Sequence, residues 1–151
     1  MKRLIATVLI LAAVFTLVGC SDTISAEEAD TLVAETMHLI RAGFYGQALK
    51  RFHPMAASIL NRNPTDAIAA YVASLQAQGI DLTAEPSILI TGYQTTAYDS
   101  TYEGAACSLT YSMTLNGVTV TLAVTVVRNR EGYGIYRFSI QKTAYHDIPL
   151  V

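Results

Sequence analysis

Tryptophan is absent from the 151 residues, and cysteine occurs only at positions 20 and 107, too few for a disulfide framework. Charged residues make up only 15% of the chain, and acids outnumber Lys and Arg 12 to 10. No basic stripe appears, which argues against nucleic acid as a partner. The three histidines, His38, His53 and His146, have no metal-ligand spacing to one another or to a run of carboxylates. There is no phosphate-cradling glycine loop and no serine-nucleophile motif. Asn63-Pro64-Thr65 fails as a glycosylation acceptor because proline occupies its middle position. No internal repeat or low-complexity linker divides the chain.

What is present begins with a leader. Lys2 and Arg3 precede an uncharged apolar run from Leu4 to Val18. Fifteen residues are short for a spanning helix, which needs ~20 to cross ~30 Å of hydrocarbon, but they suit the core of a signal peptide. The run ends in Leu17-Val18-Gly19-Cys20. This tetrad resembles the lipobox of bacterial lipoproteins: a branched apolar residue, a tolerant position, a small residue, then cysteine. The resemblance implies removal of residues 1–19, a diacylglyceryl group on Cys20, and membrane lipid as the first partner. It implies a place in the cell envelope, on the outer side of the cytoplasmic membrane, or on the outer membrane of a host that has one. Two or more acyl chains anchor stably where one holds weakly.

Cleavage there would leave eight Lys and Arg against twelve Asp and Glu, a net charge of −4, in 132 residues. That is the size of one modest domain. With Cys20 committed to lipid, Cys107 has no partner for an internal disulfide and reads as an inert buried thiol. Residues 20–25 make a lipidated cysteine and a short tether. Ser21 to Thr23 can span only ~10 Å, which holds the domain close to the bilayer.

Residues 26–142 read as an α+β domain, followed by a tail over 143–151. Ser25-Ala26-Glu27-Glu28 fits a capping box opening a first helix. Ala29, Leu32, Val33, Thr36, Ile40 and Phe44 recur at helical spacing on its inner side, with Thr31, Glu35 and His38 outside. Gly43 breaks it, and a second short helix over Gln47–Phe52 ends near His53-Pro54, because a residue before proline avoids the helical region. Asn63-Pro64 opens a third helix, with Asn as cap and Pro at the first helical position. Its apolar stripe is Ile68, Tyr71, Val72 and Leu75, and Gly79 stops it.

From Ser87 onward the pattern changes to strands, the first running from about Ile88 to Tyr98. Asn116-Gly117 predicts a two-residue type I′ hairpin. It pairs Leu115 with Val118, Met113 with Val120, Tyr111 with Leu122, Leu109 with Val124 and Cys107 with Val126, every pair apolar. The opposite face pairs Thr114 with Thr119 and Ser112 with Thr121. A one-residue slip would invert both faces, so the register is specified. After the turn Asn129–Gly132, Tyr136, Phe138 and Ile140 alternate with Arg137 and Ser139 in a last strand. Arg128, Arg130, Arg137 and Lys142 form a basic cluster about that turn, read as a solvated hairpin end. Helices first and antiparallel strands afterwards give an α+β domain, with N-terminal helices covering one face of a sheet of about four strands.

The helix order, the segment RAGFYGQALKRF (Arg41–Phe52) and the ending VVRNREGYGIYRFSI (Val126–Ile140) resemble the nuclear transport factor two-like, cystatin-like fold. More narrowly, they resemble small bacterial lipoproteins of unknown function that carry it. Tyr133 or Tyr136 stands where that group often has tryptophan, a departure. The resemblance implies a cystatin-like roll with a conical pocket. Some members bind ligands there, some are isomerases or dehydratases, and many only mediate contacts, so fold does not decide function.

A catalytic reading needs an acid or base inside the apolar pocket. The inward face of the hairpin offers only Tyr111 and Cys107. Asp99 and Glu103 belong to a turn, His38 faces solvent, His53 reads as a capping or surface residue, and His146 sits in the tail. The expected pocket candidates are Tyr111, Met113, Tyr71 and His53, with no catalytic residue, metal or cofactor assigned. The function expected is a noncatalytic binding or interaction module for a small apolar ligand or an envelope protein. The alternative is a small acid–base enzyme of the isomerase or dehydratase type, using Tyr111, His53 or Asp99.

Overall fold

The computed structural model describes residues 23–59 and 64–143, with the side chains of 57–65 left aside. The expected leader, Cys20, the Asn63 cap and the tail from Ala144, His146 included, lie outside the described residues. Helix α1, Ala26–Arg41, starts where expected, with the Ser25 hydroxyl accepting from the Glu28 N–H at 3.1 Å. The reciprocal half of the capping box is replaced: the Glu28 carboxylate pairs with Arg128 across the fold. Ala29, Leu32, Val33, Thr36, Met37 and Ile40 are buried. Phe44, expected on the same stripe, is instead 55% exposed. Gly43, at φ +76°, turns the chain into a left-handed cap. The N–H groups of Gly43 and Phe44 then close on the carbonyls of Ile40 and Leu39. That motif ends the helical period before Phe44 can use it.

The second helix also departs from expectation. Helix α2 covers Tyr45–Leu49, not Gln47–Phe52, because residues 51–53 are taken up by the sheet. Phe52 forms a parallel bridge with Ile135. His53 N–H donates to the Ile135 carbonyl at 2.8 Å, and Ile135 N–H donates to the Arg51 carbonyl at 2.9 Å. A further short helix, α3, Pro54–Ile59, was not expected. Proline suits its first position, where no N–H partner is needed. Helix α4 covers Pro64–Ala77 and buries Ile68, Val72 and Leu75, with Tyr71 half-buried. Gly79 ends it with a second left-handed cap.

Four strands follow in sequential antiparallel order: β1 Ser87–Asp99, β2 Gly104–Leu115, β3 Val118–Asn129 and β4 Gly132–Lys142. The arrangement is α+β, helices followed by a curved sheet. The β2–β3 register agrees with the sequence reading at every pair. Asn116 and Gly117 sit at φ 49° and 79°, the two positive values a type I′ turn requires. Leu115, Met113, Tyr111, Leu109 and Cys107 are all buried, opposite the half-buried Val118 and the buried Val120, Leu122, Val124 and Val126. With α1 and α4 they form the core.

The last strand is less regular than its alternation suggests. Phe138 lies opposite Val124 and Ile140 opposite Leu122, but Ile135, not Tyr136, lies opposite Val126. Tyr136 is the extra residue of a bulge. Its ring packs 6.0 Å from His53 and 4.9 Å from Tyr102, by centroids. The basic cluster does not form. Arg128 pairs with Glu28, Arg130 pairs with Glu103 and Glu131, and Arg137 and Lys142 lie further along β4.

Candidate functional site

Four sequence-expected pocket residues go to three different places. Tyr111 and Met113 point from β2 into the core beneath α1, 2% and 0% exposed. The Tyr111 hydroxyl donates to Asp30 Oδ1 on α1 at 2.9 Å. Burial first, and then the Asp30 carboxylate, push the phenol well above its ordinary value. A phenol so held keeps its proton and has already given its hydrogen bond. Its role is to tie sheet to helix.

His53, expected at a cap or at the surface, is wholly buried and performs the capping half of that expectation. Its Nδ1 accepts from the Met55 N–H at 3.2 Å. Because an amide nitrogen can only donate there, Nδ1 carries no proton, and Nε2 is the donor. It faces the Asn129 side-chain oxygen at 3.0 Å and the Gly132 carbonyl at 3.2 Å. Asn129 in turn donates to the Tyr102 carbonyl at 2.7 Å and accepts from the Glu131 N–H at 2.9 Å. His53 and Asn129 therefore lock the two strand turns to the start of α3. Both ring nitrogens are engaged, so a base at this position would first have to break the cap.

Asp99, the remaining catalytic candidate, caps its own turn by accepting from the Thr101 N–H at 2.8 Å. Cys107 is buried. Burial, with a smaller contribution from the Glu28 carboxylate, raises its thiol pKa and favours the unreactive protonated form.

Tyr71 is the expected residue that reaches a cavity. A cleft of about 260 Å³ opens between α4 and β4, lined by Ile40, Phe52, Ala67, Ile68, Tyr71 and Phe138. The Phe138 ring lies 6.2 Å from Phe52 and 6.5 Å from Tyr71, the latter edge-on. The bridge at Phe52 and the strand residue Phe138 thus form one wall, and α4 forms the other. The Tyr71 oxygen accepts from the Ile140 N–H at 2.9 Å. That bond fixes the ring and leaves the hydroxyl proton to donate elsewhere. In volume the cleft exceeds the ~150 Å³ that accommodates a benzene ring and sits just below the ~300–1,000 Å³ of drug-sized sites. It suits one ring or a short chain. Sequence reasoning missed Phe52 and Phe138 as wall residues. Their aromatic character was visible, but they meet only through the bridge between Phe52 and Ile135, distant in the chain.

A second hollow, of about 320 Å³, lies on the outer face of the sheet, where Ser108, Thr110, Thr121, Thr125 and Ser139 surround Arg137. Its lining mixes these polar groups with Leu109, Ala123 and Val124. Among the described residues, no group of three His, Cys, Asp or Glu is placed to hold a metal ion. No helix among them is long and apolar enough to cross a membrane. Comparison with protein-family models, curated proteins and solved structures finds no match.

Proposed function

We propose that the chain is a lipid-anchored extracytoplasmic binding module whose cleft takes a small, mostly apolar ligand bearing one hydrogen-bond acceptor. The observation that carries this reading is the cleft itself: five apolar residues and one tyrosine hydroxyl with a proton to spare. Such lining excludes water along most of the ligand and orients it by a single bond. The order of helices and strands supports a cystatin-like roll of the nuclear transport factor two-like group. Leu17-Val18-Gly19-Cys20 supports removal of residues 1–19 and lipid attachment at Cys20, in the cell envelope.

Two probes of nearly equal size test the cleft with the full chain in lipid nanodiscs. Acetophenone offers a carbonyl to Tyr71 and ethylbenzene does not. One net hydrogen bond is worth ~1 kcal/mol, so acetophenone binds about fivefold tighter. Tyr71→Phe erases that preference, and Ala67→Phe, which fills the cleft, abolishes both. Failure of either probe to saturate ends the reading. Saturable turnover of a ketone, lost in His53→Ala, would replace binding with acid–base catalysis. The anchor is tested separately by mass spectrometry, which finds a diacylglyceryl-modified Cys20 at the mature terminus. Cys20→Ala then accumulates precursor.

A further inference from the structure

The two edges of the sheet are finished differently. Residues 51–53 cover β4 around Ile135, and β4 itself carries Arg137 and Lys142. No described residue pairs with the outer edge of β1. That strand runs thirteen residues with no Lys, Arg or Pro, and its one charge is Asp99 at the end. Natural edges of this length are ordinarily blunted by charge, proline or a covering segment.

The faces of β1 are also unfinished. Ile88, Ile90 and Tyr93 lie opposite Met113, Tyr111 and Leu109, so they point to the helix side. Their β2 partners are buried, yet they are 46%, 41% and 67% exposed. The helix layer leaves them largely open. Leu89, on the outer face beside Ser112, and Tyr98 are 67% and 66% exposed.

We propose that β1 pairs antiparallel with β1 of a second copy, about a two-fold axis perpendicular to the sheet, giving a continuous eight-stranded sheet. Three observations select a second copy. The strand is uncharged from Ser87 to Tyr98, so it has nothing with which to read a charged peptide and brings no like charges together on itself. A two-fold axis of this kind places both helix layers on one side, where the exposed rows of the two strands meet. A specific register satisfies both faces: the irregularity between Ile90 and Gly92 shifts the face parity, so the row is Ile88, Ile90, Tyr93 and Thr95. Placing Ile90 of each copy opposite Tyr93 of the other also sets Ile88 opposite Thr95 on the same side, and Leu89 opposite Gln94 on the outer side. The area is adequate too. Ile88, Leu89, Ile90 and Tyr93, all exposed, together with a free strand edge offer an area on the order of the ~600 Å² per copy of the smaller stable interfaces.

Sedimentation equilibrium of the full chain in density-matched detergent is expected to show a dimer that dissociates on dilution. Ile90→Lys and Tyr93→Lys, at exposed positions, should weaken it about tenfold or more while leaving the thermal melt in place. The register is read independently by oxidising a mixture of two single variants, Ile90→Cys and Tyr93→Cys. Directly paired residues sit ~4.5–5.5 Å apart by Cα, within disulfide range. The mixture therefore cross-links, and either variant alone, like the wild type, does not. A monomer at every concentration, or a dimer indifferent to both lysines and without the mixed cross-link, overturns the proposal and leaves the edge to an extended segment of another kind.

Discussion

The two outer strands of the sheet have nearly the same length and opposite fates. β1 has no fully buried residue among its thirteen, whereas β4 buries Gly134, Ile135 and Ile140 and is covered on its outer edge around Ile135. Composition does not separate them in that way, because β1 is the less charged of the two. What separates them is where the helical half of the chain lands. The segment leaving α2 and the short helix after it land on β4, while α1 reaches β1, β2 and β4 alike and leaves the side chains of Ile88, Ile90 and Tyr93 on β1 largely open. An apolar strand is therefore no guarantee of a buried one. The contrast shows how an uncovered apolar edge can arise from where one connecting segment lands.

Breaking the sealed side should have the largest effect. Ile135→Ala removes a side chain that is 0% exposed and belongs to the core, and should cost ~2–5 kcal/mol in denaturant melts. Ile90→Ala, 41% exposed on β1, should cost much less in the monomeric chain. Equal losses at the two positions would erase the distinction between the edges.

Next in size is the seal itself. A Cβ on Gly134 would stand 2.6 Å from His53 N and 2.8 Å from the Arg51 carbonyl oxygen, so Gly134→Ala must push the bridging segment off β4. Overpacking of this kind costs ~1–3 kcal/mol. Hydrogen exchange at the His53 and Ile135 amides should accelerate first, and protection unchanged from wild type would remove the seal from the account.

Alkali probes the sealed side without a substitution. Burial, and then the Glu28 carboxylate, raise the Tyr133 phenol to about 12, with nearby Arg128 opposing; Tyr111 moves in the same direction. The folded phenols hold their protons past the ordinary value of ~10. Their contribution to stability is thus complete below pH ~10 and declines as pH rises through 12. Melting temperature should fall over that window, and by less in Tyr133→Phe. The smallest effect belongs to β1: Gly92 has open space around an added Cβ, and Gly92→Ala should change stability by no more than about 1 kcal/mol.

Much of the fold was legible in the sequence because its signals are local. Ser25 caps an amide three residues away, and Gly43 and Gly79 take the left-handed φ at their helix ends. Asn116-Gly117 sets a register in which five inner and two outer pairs agree. The failures have two causes. Phe44, the true end of α2, the tyrosine bulge in β4 and the burial of His53 all depend on residues 51–53 meeting Ile135 or on a cap that interrupts a period. The candidate site was less legible than the fold. Of Tyr111, Met113, Tyr71 and His53, only Tyr71 lines the apolar cleft, because an inward-facing position does not say whether a helix fills the space above it.

By itself the sequence determined the succession of helices then antiparallel strands, the hairpin register, the inner face of the central strands and the two glycine caps, each by torsional preference or by apolar spacing within one segment. It also carries the lipobox-like tetrad at Cys20. Tertiary structure alone decided which strand edge is sealed, which pocket candidates are buried and which one meets a cavity. Those outcomes depend on contacts between segments as distant as Phe52 and Ile135 or Asp30 and Tyr111. A contact of that kind forms only when two separately specified surfaces are brought together, and neither segment carries a mark of it alone.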